Sequence, residues 1–97
     1  MEQPEHLTLK GFLAFQILYE LQREELCGDD LARIIGQKKG SKLTPGTIYP
    51  ALKFLRRKKL IHQKRDGRKK LYALTPMGTE EYRLFRKNFK KIFRGLL

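Results

Sequence analysis

A mostly α-helical chain with one small β-hairpin is the fold class that this 97-residue sequence predicts. Three observations predict it. Apolar residues recur at helical spacing in four separate segments. An Asp66-Gly67 pair, a strong two-residue hairpin signal, stands between two loosely alternating runs. Thr-Pro pairs at Thr44-Pro45 and Thr75-Pro76 mark where the last two helices open.

The first helix is expected over residues 7–24. Leu9, Leu13, Ile17 and Leu21 form one stripe, and Phe12, Phe15 and Leu18 widen it, which predicts burial on two sides. Thr8 is its expected N-cap. Glu24 to Gly28 breaks the spacing and reads as a turn. A second helix is expected from about Asp29 to Lys39, with acids at its positive end and lysines at its negative end. Leu31, Ile34 and Ile35 make its buried face. Gly36 weakens its interior by about 1 kcal/mol relative to alanine, and Gly40 stops it.

The third helix follows a short turn. Thr44 can cap it, and Pro45 suits the first helical position, where a missing N–H costs nothing. Pro50 leaves two readings. If the helix starts at Thr44, Pro50 forfeits a bond to the carbonyl of Gly46; if regular helix starts nearer Thr47, Pro50 lies harmlessly in the first turn. Ile48, Ala51, Leu52 and Leu55 share one side, with Tyr49, Lys53, Arg56 and Arg57 on the other. Next come alternating runs at Leu60–Arg65 and Leu71–Leu74, whose connecting tip is flanked by Lys64, Arg65, Arg68, Lys69 and Lys70. Thr75 then caps the last helix. Along it Tyr82, Phe85, Phe89, Ile92 and Leu96 recur at spacings of 3, 4, 3 and 4, a heptad seam with Phe93 beside it. Helix, helix, helix, basic hairpin, helix is the order of a winged helix-turn-helix. Residues 1–75 would form that winged domain, and 76–97 a C-terminal dimerisation helix.

Charge sharpens the reading. The formal net charge of +12 is lopsided: residues 1–30 hold two bases against seven acids, a net of −5, and the remainder carries +17. A field of that size attracts polyanions. A hydrophobic fraction of 40% argues for a folded globule rather than a basic disordered tail. Cys27 is the single cysteine, so no internal disulfide and no Cys/His metal site are expected, and a reducing cytoplasmic setting is. Met1 to His6 does not read as a signal peptide, and no apolar run approaches a membrane span. No nucleophile with its base, phosphate-cradling loop or metal quartet is present, so neither an enzyme nor a cofactor is expected.

The run Thr44-Pro45-Gly46-Thr47-Ile48-Tyr49-Pro50-Ala51-Leu52, followed by Leu55 and Leu60-Ile61, resembles the PadR-like transcriptional regulators. Lys69-Lys70-Leu71-Tyr72-Ala73-Leu74-Thr75 matches that family's strand leaving the wing, and Gly78 matches the glycine that follows it. The resemblance spans roughly residues 8–80 and is to the short form with one helix after the winged domain. It implies a homodimeric repressor of prokaryotic, prokaryotic-virus or plasmid origin, associated with the nucleoid. Its third helix would enter the major groove, its wing would touch the backbone and its last helix would make the dimer. Some relatives bind planar aromatic ligands at the dimer interface, so a small aromatic effector joins the expected partners. Two departures stand out. Cys27-Gly28-Asp29-Asp30 replaces the family's His-Gly-Tyr-Glu-like start of the second helix, and the tryptophan on which some relatives stack drugs is missing.

The expected DNA-binding residues are Lys42, Thr44, Thr47, Tyr49, Lys53, Arg56, Arg57, Arg65, Arg68, Lys69 and Lys70. The cations would neutralise phosphates, which supplies most of the affinity. Thr47, Tyr49 and Lys53 lie in the part of the helix that reaches base edges in this motif. Thr44 reads first as a plain cap, and Arg56 and Arg57 equally as a solvated face. The expected dimer interface comprises Phe12, Phe15, Tyr82, Phe85, Phe89, Ile92, Phe93 and Leu96. The expected activity is sequence-specific binding of double-stranded DNA at a near-palindromic operator. The rivals are a non-specific architectural or RNA-binding protein, and a winged-helix module that docks protein.

Overall fold

The computed structural model describes residues 9–96, so the expected cap at Thr8 lies outside the described residues. The elements run α1 (Leu9–Arg23), β1 (Leu26–Cys27), α2 (Gly28–Gln37), α3 (Pro45–Arg57), β2 (Ile61–Asp66), β3 (Lys69–Leu74) and α4 (Pro76–Leu96). The strands form one antiparallel sheet in the order β1-β3-β2. Among the described residues no helix is long and apolar enough to cross a membrane.

The segment expected as a plain turn, Glu24 to Gly28, contains the short strand β1. Leu26 pairs with Tyr72 and Cys27 with Leu71. Two residues are too few to show alternation, so no period-2 signal exists for such a strand. Cys27 then starts α2: its Sγ accepts the backbone N–H of Asp30 at 3.4 Å. The Asp30 carboxyl is held below its ordinary pKa, chiefly by the Arg33 side chain that donates to it at 2.9 Å.

Gly36 has a different role from the one its helix propensity suggests. A Cβ there would overlap the carbonyl of Ser41, with Lys42 Cα and Leu43 N each 2.6 Å away. Glycine at 36 is therefore a packing requirement that lets the chain double back. Gly40, with φ 98°, turns the chain at that point, and the N–H of Ser41 returns to the Gly36 carbonyl at 3.0 Å.

α3 starts at Pro45, so of the two readings for Pro50 the strained one holds: Pro50 is inside the helix. The Thr44 hydroxyl makes no capping bond to a backbone N–H. It pairs with the Thr47 hydroxyl at 3.1 Å, and the Thr44 carbonyl takes the N–H groups of Thr47 and Ile48. The hairpin turn falls one residue later than expected. Asp66 pairs with Lys69, so Gly67 and Arg68 form the loop, and Gly67 has φ 63°, as the first position of such a loop demands.

Ile17, Leu31, Ile35, Ile48, Leu52 and Leu55 are the fully buried heart of the core. Within it Glu20 is only 4% exposed, and its carboxylate is held by Lys38 at 3.0 Å. Thr75 joins α4 to the end of α3. Its hydroxyl accepts the Gly78 N–H at 3.0 Å and donates to the Lys59 carbonyl at 2.7 Å, while its own N–H reaches the Leu60 carbonyl at 3.1 Å.

The aromatic seam of α4 is divided. Tyr82 and Phe85 are buried inside the protomer, where Phe15 stacks on Phe85 at 4.6 Å and on Tyr82 at 5.6 Å between centroids. These residues belong to the intrachain core rather than to a free face. Heptad spacing shows that a helix packs on another but not whose helix it is. The cluster opens outward at Phe89, 5.8 Å from Phe15, and at Phe12, 39% exposed. The side chains of Ile92, Phe93 and Leu96 lie outside the described set.

Candidate nucleic-acid interface

α3 has one buried side, made by Ile48, Ala51, Leu52 and Leu55. Every expected contact residue on it, Thr47, Tyr49, Lys53, Arg56 and Arg57, is exposed, as is Thr44 at its cap. Burying one face leaves the other to solvent, and here that other face is cationic.

The ion pairs of the described residues fall elsewhere. They engage Arg23, Arg33, Lys38, Lys42, Lys64 and Arg83. Among the described residues Lys53, Arg57, Arg65, Arg68 and Lys70 have no carboxylate partner. Lys42 differs from these: its ammonium sits 2.5 Å from Asp29, an exposed pair at the start of α2. Phosphate contact there would compete with Asp29.

The ribbon shows the same imbalance. Arg65 and Lys70 face each other across β2 and β3. Like charges directly opposite destabilise a hairpin, and a polyanion would relieve that repulsion. Asp66 opposes Lys69, and Lys64 is drawn back to Glu25 at 2.6 Å. At the base of the ribbon, burial pushes the Tyr72 hydroxyl above its ordinary pKa, against the pull of nearby Arg56.

Tyr49 does not stand straight out from α3. Its ring leans on the first turn of α2: a Cβ at Gly28 would meet Tyr49 Cε1 at 2.8 Å and its Oη at 3.0 Å. Gly28 thus shapes the surface without being an expected site residue, and no periodicity marks it. Tyr49 is still 47% exposed. Among the described residues no group of three His, Cys, Asp or Glu could hold a metal.

Comparison with solved structures gives high similarity over nearly the whole chain. A PadR-like transcriptional regulator from Bacillus cereus is 29% identical, with a TM-score of 0.82, over 91% of this chain and 90% of that one. A transcriptional regulator from Streptococcus is 25% identical, with a TM-score of 0.79 and 91% of each chain covered. A PadR family regulator from hypervirulent Clostridium difficile shares the fold at 23% identity, with a TM-score of 0.79 over 89% of this chain and 95% of that one. No curated protein matches the sequence. The model of the transcriptional regulator PadR-like family matches residues 17–84, from the middle of α1 through the first half of α4. This span holds α3 and the whole hairpin, and the chain belongs to the PadR-like family of transcriptional regulators, which are DNA-binding proteins and not enzymes.

Proposed function

We propose that the chain is a homodimeric repressor that binds a near-palindromic operator, in the cytoplasm and on the nucleoid. The observation that carries this reading is the exposed cationic face of α3, without an ion-pair partner among the described residues, continued by the wing cations. Lys53, Arg56, Arg57, Arg65, Arg68, Lys69 and Lys70 neutralise phosphates, with Lys42 contributing less because Asp29 already holds it. Thr47 and Tyr49 read base edges. A second copy covers the open end of the aromatic cluster at Phe12 and Phe89, together with the last turns of α4. Two-fold pairing sets two α3 helices about 34 Å apart, one turn of DNA. An aromatic effector would have to enter at that same junction.

Selection of bound sites from random duplex DNA tests specificity, symmetry and spacing together. The expected product is an inverted repeat with half-sites one helical turn apart; a preference-free pool would favour the architectural rival. Thr47→Ala should lower the ratio of operator to random-duplex affinity by about tenfold, the scale of a single lost base contact. Equal losses on both duplexes would place Thr47 on phosphate instead. Phe89→Asp sets a charge in the apolar junction, and sedimentation should then show monomers. A persistent dimer would mean that the copies meet elsewhere.

A further inference from the structure

The outward side of α3 is notched. Opposite the buried Ile48, Ala51, Leu52 and Leu55, helical spacing places Gly46, Pro50, Lys53 and Arg57, all exposed. Gly46 presents bare backbone there, and nothing among the described residues asks for it. Its φ is not in the left-handed region, and a Cβ at 46 would find Thr44 Oγ1, at 4.0 Å, as its nearest neighbour. Gly36 and Gly78 are the contrast, since a Cβ at either would run into backbone. Glycine in a helix is less stable than alanine, so the fold loses by having it at 46.

Two further features keep the notch open and chemically active. Tyr49, the nearest aromatic, leans back on Gly28 instead of filling it. Pro50 has no N–H, so the carbonyl of Gly46 loses its helical donor. Carbonyls on the solvent side of a helix tilt outward. That stretch therefore presents a main-chain acceptor that has lost its i+4 donor.

We propose that Gly46 is a specificity-determining residue: the bare backbone at Gly46, bordered by the Pro50 ring, packs against base edges in the major groove, and the Gly46 carbonyl accepts a hydrogen bond from the exocyclic amino group of an adenine or cytosine. The inference rests on the reading that α3 enters that groove. Adenine and cytosine are the bases that present an amino donor there. A main-chain oxygen reaches hydrogen-bond distance only where no side chain holds the helix away, which is what glycine at this position secures.

Stability and recognition should move in opposite directions in Gly46→Ala. The unfolding midpoint rises, because the helix gains an alanine. Affinity for the operator selected by the wild-type chain falls about tenfold, the scale of one lost base contact, while random-duplex affinity changes little. Repeating the selection with Gly46→Ala relaxes the preference at one adenine or cytosine per half-site. The proposal is overturned if Gly46→Ala selects the same sequence and binds it as tightly as wild type. Lys53→Ala separates the two levels. If it weakens duplex binding while Gly46→Ala does not, the notch alone is wrong. If both variants bind like wild type, or if wild type selects no site at all, the groove reading falls with it.

Discussion

Gly78→Ala should destabilise the protein by about 3 kcal/mol or more, at the upper end of what overpacking costs. A Cβ at 78 would overlap the carbonyl of Leu60, and that carbonyl cannot simply move aside. It accepts the Thr75 N–H at 3.1 Å, and the N–H of Leu60 is itself bonded to Leu55 at 3.0 Å. Relief requires α4 to back away from the end of α3. Gly36→Ala should behave in the same way, although helix propensity alone would predict a gain of about 1 kcal/mol; the obstacle is again backbone, at Ser41 and Leu43. For a domain of this size a loss of that order lowers the thermal midpoint by roughly 10 °C or more. Calorimetry or circular dichroism melts decide it, and an unchanged midpoint in either variant would mean that the close approach is not there.

The triple variant Arg65→Ala, Arg68→Ala, Lys70→Ala should lose duplex binding across all sequences alike. These cations have no carboxylate partner among the described residues, and Arg65 already faces Lys70, so their removal should leave the fold intact. Each lost phosphate contact makes the plot of log affinity against log salt shallower by about 1. With three cations per subunit the slope of a dimer should fall by up to about 6. Operator and random duplex weaken in parallel, the opposite pattern from Thr47→Ala. Titrations at several salt concentrations give both quantities. An unchanged slope would remove the wing from the interface.

Much of this architecture was legible in the chain, for identifiable reasons. α3 and α4 declare themselves because burial on one face imposes helical spacing on their apolar residues, and α1 because burial on two sides widens the same stripe. Thr75-Pro76 declares a helix start because the hydroxyl and the ring each suit a defined position; at Thr44-Pro45 the start is right although the Thr44 hydroxyl bonds Thr47 instead. β1 was invisible because two residues cannot alternate. Gly36 misled because its role is set by Ser41 and Leu43, which local propensity does not see. The hairpin loop slipped by one residue because Asp66-Gly67 and Gly67-Arg68 both carry a glycine, and only the pairing of Asp66 with Lys69 separates them. The cations of the candidate interface were evident as a group, but not that Lys42 is claimed by Asp29 and Lys64 by Glu25. Ion pairs between distant segments leave no trace in spacing.

Thr75 touches the main chain on both sides of a junction, through the Lys59 and Leu60 carbonyls behind it and the Gly78 N–H ahead. These bonds tie α4, the arm through which two copies would join, to the end of α3, the helix proposed to read DNA. In such an assembly the distance between the two reading elements behaves like that of a fixed caliper, and inserting or deleting a single base pair at the operator's centre cannot be absorbed by bending the protein at this joint.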